Sequence, residues 1–161
     1  MNSDGVGRGV STLDWESRAV NKKSSKVFLS YAASDREPAR KIAEHLRGAG
    51  FQVWDPELEI LPGDDFSVRL KQALETVEAF VVLISPEALE SRWISYELGY
   101  VLGEKRFRGR LVPVTIRPAK NAPWILNSLP SVQYEGPAKT GKQIADLLSQ
   151  PADVAETKWR A

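Results

Sequence analysis

Short β-prone runs alternate with amphipathic helical patterns along most of this chain, and no other feature limits the fold as strongly. The runs lie at 27–31, 51–54, 79–84, 111–116 and, more weakly, 131–134. The segments between them place apolar residues at the i, i+3, i+4 and i+7 positions of a helix that faces a core. Strands that alternate with helices form a parallel sheet covered on both faces and joined by right-handed crossovers.

The expected fold is therefore α/β, a flavodoxin-like doubly wound sheet of five parallel strands in the order 2-1-3-4-5. Pro113 lacks the N–H of a ladder hydrogen bond, so its strand is expected at or near a sheet edge. This order places the topological switch point between the first and third strands, where ligands bind at the carboxyl ends. We expect Tyr31-Ala32-Ala33, the 55–63 loop and Ser85 to meet there.

Composition excludes several classes of protein. The 161 residues include no cysteine, which excludes a disulfide scaffold, a thiolate nucleophile and a Cys-based zinc site. The only histidine, His45, is expected to be a partly exposed helix residue, so a His-rich metal site is excluded and a Ser-His-Asp triad is disfavoured. The net charge of +1 with interspersed signs gives no electrostatic reason to expect nucleic acid or an anionic membrane as a partner. No signal peptide or transmembrane run is present, and we expect a cytoplasmic protein.

The chain is expected to contain one folded domain. Residues 1–25 are rich in Gly, Ser and Asn and predict a flexible leader. The domain spans 26–150, and 151–161 form a tail. Helix starts are predicted at a capping box over 34–37 and another over 140–143.

The segment from Trp93 to Gly99 is the most informative part of one predicted helix, which runs from Pro86 to about Gly103 after an N-cap at Ser85. Its apolar stripe consists of Ile94, Leu98, Val101 and Leu102. Glu97 falls at the rim of that stripe, and the helical pattern alone favours a solvated carboxylate. Periodicity leaves open whether Glu97 reaches the crevice. In the preceding helix, Phe66 begins a similar core-facing stripe.

Other functions of this fold are disfavoured by the residues at the strand ends. A response regulator needs acidic residues where Tyr31-Ala32 and Ser85-Pro86 stand. The chain lacks a Gly-x-Gly-x-x-Gly turn, a P-loop and a Gly-x-Ser-x-Gly elbow. The residues that remain as candidates for a functional site are one carboxylate, several aromatic residues and a polar loop.

Three motifs resemble those of Toll/interleukin receptor (TIR) domains, in the style of bacterial members. Residues 26–32 (KVFLSYA) resemble the first box, 61–64 (LPGD) the second, and Trp93-x-x-x-Glu97 the motif of catalytic members. The resemblance covers about 26–150. Two departures stand out: Pro56 replaces an acidic residue common in relatives, although Asp55 precedes it, and the third box is absent, with Trp124-Ile125 the nearest aromatic candidate.

The resemblance implies cleavage of NAD⁺ at the nicotinamide–ribose bond, giving nicotinamide and ADP-ribose or a cyclised isomer, in antiphage defence or a related stress response. Glu97 is then the catalytic carboxylate. NAD⁺ is the substrate, and no cofactor or metal is expected. Because nicotinamide departs from a ring that is already cationic, one carboxylate suffices to stabilise the oxocarbenium-like ribose.

The resemblance also implies further contacts with NAD⁺. Trp93 is expected to pack near the nicotinamide and Tyr31 to line the crevice. The backbone of Ala32 and Ala33, together with the loop at Leu61, is expected to hold the remaining groups. Other TIR domains are the expected partners, in a homo-oligomer or filament.

Two alternatives stay open. A non-catalytic TIR module would act by homotypic assembly through the loop around Pro62-Gly63, with Glu97 as a rim carboxylate. A nucleoside deoxyribosyltransferase would keep the topology and Glu97 with another substrate, but fold alone is weak evidence for function.

Overall fold

The computed structural model describes residues 25–129 and 131–151, so most of the predicted leader (1–25) and tail (151–161) lies outside the described residues. Within the described chain, five parallel strands form one sheet in the predicted order β2-β1-β3-β4-β5. The strands are β1 (Lys26–Ser30), β2 (Gln52–Trp54), β3 (Ala79–Ile84), β4 (Leu111–Thr115) and β5 (Val132–Gln133). The helices are α1 (Arg36–Gly48), α2 (Pro56–Glu59), α3 (Phe66–Thr76), α4 (Pro86–Glu90), α5 (Arg92–Gly103), α6 (Trp124–Asn127) and α7 (Pro137–Ser149), with 3₁₀ turns at Ala33–Asp35 and Lys105–Phe107.

Alternate residues of the central strands supply two apolar layers, one on each face of the sheet. Every residue of β3 is buried, as the apolar run predicts. Leu29 belongs to the layer covered by α1 and α7, whereas Phe28 belongs to the layer covered by α3 and α5. The Phe28 ring stacks on Phe80 and Trp54 with centroids 5.0 and 4.8 Å apart. Pro113 lies in β4, next to the edge strand β5, as expected.

Helix α7 packs closely against α1 at Gly141. A Cβ atom at Gly141 would lie 2.6 Å from the Cβ of His45, so only glycine allows this approach. His45 is exposed, in agreement with the sequence interpretation. No helix in the described residues is long and apolar enough to cross a membrane.

Both predicted capping boxes are wrong. Helix α1 begins at Arg36, and Asp35 occupies its N-cap position without a side-chain cap hydrogen bond. Helix α7 begins at Pro137, before the predicted start at Thr140. The Thr140 hydroxyl instead accepts a hydrogen bond from the Glu135 N–H at 3.0 Å. A short polar side chain near a helix start has several backbone partners within reach, and the sequence does not say which it takes.

The single helix predicted from Pro86 to Gly103 is also wrong, because the chain breaks at Ser91 into α4 and α5. Ser85 caps α4 as predicted, and Ser91 caps α5 by accepting a hydrogen bond from the Ile94 N–H at 3.3 Å. Glu97 therefore lies in the second turn of α5, whereas the sequence predicted it about three turns into one continuous helix.

Phe66 and Leu102, both predicted to face the core, are 36% and 39% exposed. Phe66 is the first residue of α3, beyond the carboxyl end of the sheet. Its ring packs against Trp93, with centroids 4.4 Å apart. The helical pattern is correct, but the sheet does not extend far enough to cover the first residue.

Candidate active site

Polar residues gather where β1, β2 and β3 end, around the predicted switch point. Ser30 is the last residue of β1, Asp55 follows β2 and Ser85 follows β3. All three are buried, with exposed fractions of 1% or less. Since buried polar groups need hydrogen-bond partners, each of them indicates a specific contact at this edge.

Glu97 reaches this edge from α5. Its side chain is 3% exposed, and Oε2 accepts a hydrogen bond of 2.5 Å from the Ser30 Oγ. The solvated state favoured by the helical pattern alone is therefore wrong: the carboxylate is buried beside the apolar stripe and lies at the carboxyl end of β1.

Burial dominates the electrostatics of Glu97. Loss of solvent raises the pKa of its carboxyl group from 4.5 to about 7, and the hydrogen bond from Ser30 opposes the rise. Among the residues that the structure describes, no cationic side chain forms an ion pair with Glu97. Glu97 is thus a buried acceptor for positive charge without a cationic partner among the described residues.

Sequence reasoning did not single out Ser30 as a site residue. A serine that ends an apolar strand beside the switch point is a weak signal, because many strands end in small polar residues. The contact partner lies 67 positions away in the chain, on a helix whose direction the sequence did not predict.

Tyr31 holds the loop after β2. Its hydroxyl donates a hydrogen bond of 2.6 Å to the Asp55 Oδ1, and the same oxygen accepts from the Glu57 N–H at 3.0 Å. Burial and the Asp55 carboxylate raise the pKa of Tyr31 well above its ordinary value, so the phenol stays protonated. Glu57 is held in turn by Arg36 through two hydrogen bonds of 2.6 and 2.8 Å.

The other predicted site residues differ in how far they are exposed to solvent. Ala32 is half-buried and Ala33 is exposed at the 3₁₀ turn, whereas Leu61 is 61% and Trp93 44% exposed. Within the described residues, no hydrogen bond or ring contact joins Leu61 or Trp93 to Glu97. Hydrogen bonds join Ser30 to Glu97 and Tyr31 to Asp55; the ligand contacts of the others stay predictions.

Another buried carboxylate, Asp35, lies at the same edge and was assigned by sequence only to helix capping. It is 2% exposed and accepts a hydrogen bond of 2.5 Å from the Ser85 Oγ. The Arg117 Nη2 donates to its other oxygen at 2.9 Å and also to Glu87 at 2.6 Å. This cluster joins the 3₁₀ turn after β1 to the ends of β3 and β4.

The fold and the site together define a class: a doubly wound α/β domain whose switch point holds a buried carboxylate, Glu97, with no ion pair among the described residues. Such a group stabilises positive charge that develops on a bound molecule, because the dry surroundings strengthen the interaction. In the described part of the chain, no group of three or more His, Asp or Glu side chains is placed to hold a metal ion.

A family profile described as TIR domain matches residues 27–148, and the chain belongs to the TIR domain family. It is similar to the 2′ cyclic ADP-D-ribose synthase BtTIR of Bacteroides thetaiotaomicron, at 33% identity over 94 residues, which is 57% of this chain and 33% of that protein. It is also 28% identical over 131 residues to the 2′ cyclic ADP-D-ribose synthase AbTIR of Acinetobacter baumannii, covering 80% of this chain and 48% of that protein.

Among solved structures, the fold resembles a metazoan TIR-STING receptor from C. gigas, with a TM-score of 0.67 and 28% identity over 78% of this chain and 39% of that chain. The chain thus spans a third to a half of the length of the two curated relatives. These matches confirm the family and fold expected from the three sequence motifs.

Proposed function

We propose that this TIR domain cleaves the nicotinamide–ribose bond of NAD⁺, with Glu97 as the catalytic carboxylate. The observation that carries the proposal is the burial of Glu97 at the switch point, oriented by Ser30 and without a cationic partner in the described residues. The names of the two bacterial relatives, both synthases of a cyclic ADP-ribose, support this choice of substrate.

The proposed chemistry requires one carboxylate. The bond between ribose C1′ and the pyridinium nitrogen breaks with both electrons going to nitrogen, so nicotinamide leaves neutral without a general acid. Positive charge then develops on the ribose, and the Glu97 carboxylate stabilises it in a dry site. Attack by water, with loss of a proton, gives ADP-ribose; attack by a nucleophilic atom of the same molecule gives a cyclic isomer.

The raised pKa of Glu97 suits a substrate that carries positive charge. A cationic nicotinamide ring beside the carboxyl group lowers its pKa, so substrate binding itself favours the ionised form. NAD⁺ is the substrate in this scheme, and no resident cofactor or metal takes part. Tyr31, Ala32, Ala33, Leu61 and Trp93 remain the proposed contacts with the rest of the dinucleotide.

We further propose that self-assembly accompanies activity. Glu97 is 3% exposed in the single chain, so substrate access requires a change around it. Leu58, Leu61, Tyr96 and Trp124 are each more than half exposed and offer apolar surface to a second TIR domain. We place this activity in the bacterial cytoplasm, in defence or signalling.

The test is product analysis of NAD⁺ incubated with concentrated or artificially clustered protein. We expect nicotinamide together with ADP-ribose or a cyclic isomer, and none of these with Glu97→Ala. Glu104→Ala, which removes an exposed carboxylate at the end of α5, is the matched control and retains activity. Equal NAD⁺ consumption by Glu97→Ala and wild type would overturn the proposal.

A second candidate is a non-catalytic assembly module, favoured by the burial of Glu97 and by the exposed apolar residues. In that case clustered protein binds other TIR domains and leaves NAD⁺ intact. An inactive monomer in dilute solution is consistent with both the enzyme and the assembly module, so the assay is run on assembled protein.

A further inference from the structure

A groove of about 660 Å³ runs along the free edge of β2, away from Glu97. Its walls come from β1, β2, α1, α2, α3 and the residue before β2, and none of its lining residues belongs to α5. Strand β2 is the outermost strand on this side of the sheet, so the groove lies between α1 and α3 where a further strand would otherwise pair. Its volume falls within the range of small-molecule sites.

Positive charge is concentrated in this groove. Lys26, Arg47 and Arg69 line it, against one carboxylate, Glu59. In a chain with a net charge of only +1, this local excess is a departure from the even mixing elsewhere. Among the described residues, neither Lys26 nor Arg47 forms an ion pair. The hydrogen bond of Arg47 to the Val53 carbonyl is long, at 3.5 Å.

Arg69 forms an ion pair with Asp64 but keeps one donor without a hydrogen bond among the described residues. Its Nη2 donates to the Glu59 carbonyl at 3.1 Å, but its Nε is buried and makes no hydrogen bond within the described residues. The Asp64 Oδ2 lies 3.6 Å from this Nε, too far for a hydrogen bond, and accepts instead from the Leu61 N–H at 2.9 Å. Arg69 lines the groove, so an anionic oxygen there would gain a charge-assisted contact with its guanidinium group.

An aromatic surface and neutral polar groups complete the lining. Trp54 is half-buried, and Phe28 stacks on one face of its ring. Gln52 and Gln72 contribute amides that both donate and accept hydrogen bonds. Cationic groups suit a phosphate, and an indole with amides beside it suits a planar heterocycle.

We propose that this groove binds a nucleoside phosphate, with the phosphate on Arg47, Lys26 and Arg69 and the base against Trp54. The site is separate from the Glu97 site and does not depend on the proposed function. Arg69 also contacts Glu59 and Asp64, which belong to the segment that carries Leu61. Ligand binding at Arg69 is therefore expected to act on that loop.

The test is titration of the full chain with adenosine diphosphate by calorimetry, with inorganic phosphate and adenosine as separate arms. We expect saturable binding of the diphosphate, weakened about tenfold or more by Arg47→Ala, because a charge-assisted contact is lost. Lys41→Ala on α1 and Lys71→Ala on α3, outside the groove, leave the affinity unchanged. Phosphate and adenosine alone each bind at least about tenfold more weakly than the diphosphate.

Nuclear magnetic resonance places the ligand. We expect the indole signal of Trp54 and the signals of Gln52 and Gln72 to shift during the titration, while the Trp93 indole signal does not. Absence of saturable binding, equal affinity in Arg47→Ala, equal affinity of phosphate alone, or shifts confined to Trp93 would each overturn the proposal.

Discussion

Two serine–carboxylate pairs lie side by side at the carboxyl edge of the sheet. Ser30 at the end of β1 donates to Glu97, and Ser85 after β3 donates to Asp35, each at 2.5 Å. The two carboxylates are 3% and 2% exposed. They differ in one respect: Arg117 lies 2.9 Å from Asp35, and no cation in the described residues pairs with Glu97.

This difference supports a structural role for Asp35 and is consistent with the catalytic role that we propose for Glu97. The charge of Asp35 is balanced by Arg117, so the cluster stabilises the turn after β1 and the ends of two further strands. A buried carboxylate without a counter-charge opposes folding, and such groups concentrate at functional sites. Glu97 has the properties expected of a group whose positive partner arrives with the substrate.

The largest expected effect is on catalysis by Glu97→Gln. The amide keeps an acceptor for Ser30 and removes the charge, so we expect nicotinamide release by clustered protein to fall by about 10³-fold. Stability at pH 8, measured by urea unfolding, should not decrease, because no buried charge remains. Retained activity in this variant would show that the charge of Glu97 is not needed for catalysis, and the proposed difference in role between Glu97 and Asp35 would be wrong.

The next effect is on the pH dependence of stability. The pKa of Glu97 is raised from 4.5 to about 7 in the folded chain. Between these two pH values, the folded chain keeps a proton on Glu97 that the unfolded chain has lost. This stabilisation is fully present below about pH 4.5 and is lost as pH rises through about 7, with a total of about 3 kcal/mol. We expect the difference in unfolding free energy between Glu97→Gln and wild type to grow over this interval. A difference independent of pH would contradict the shift.

A smaller loss of stability is expected when Asp35 loses its cationic partner, Arg117. Arg117→Met leaves the Asp35 carboxylate buried without this cation. We expect the free energy of unfolding to fall by about 2 kcal/mol. The loss is smaller than for a fully buried ion pair because Arg117 is half-exposed. Lys120→Met, an exposed neighbour in sequence, is the control. Equal stability of the two variants by urea unfolding would show that the Asp35 pair is dispensable.

The smallest effect is expected from Ser30→Ala. Loss of the hydrogen bond leaves Glu97 buried but less well oriented, and we expect NAD⁺ cleavage to fall about tenfold. Because the Ser30 bond lowers the pKa of Glu97, its removal should also move the midpoint of the pH–rate profile upward. Ser95→Ala, on the exposed side of α5, should change neither the rate of NAD⁺ cleavage nor the midpoint of the pH–rate profile. An unmoved midpoint would mean that Ser30 does not act on the carboxyl group.

The sheet could be predicted from sequence because it depends on local patterns. Apolar runs such as Ala79–Ile84 determine the buried strands, and alternation with helices determines the parallel order. The contacts of the site depend on pairs far apart in the chain: Ser30 with Glu97 across 67 positions and Arg117 with Asp35 across 82. No local pattern contains those pairings.

The break at Ser91 shows a limit of the helical pattern, which also left open whether Glu97 reaches the crevice. The segment around Ser91 contains no internal proline or glycine that would end a helix, so one continuous pattern was the simpler interpretation. Glu97 adjoins the apolar stripe in both cases, and only the structure shows that it is buried and accepts a hydrogen bond from Ser30. The three motifs singled out Glu97, and its catalytic role stays a prediction, whereas its burial and its contact with Ser30 required the structure.

The most direct test of the contrast between the two carboxylates is a titration of the Glu97 side chain by carbon-13 nuclear magnetic resonance, with Glu97→Gln to assign its signal. An unpaired, buried carboxylate predicts a midpoint of about 7. A midpoint near 4.5, the ordinary value for glutamate, would show a solvated group and contradict the account.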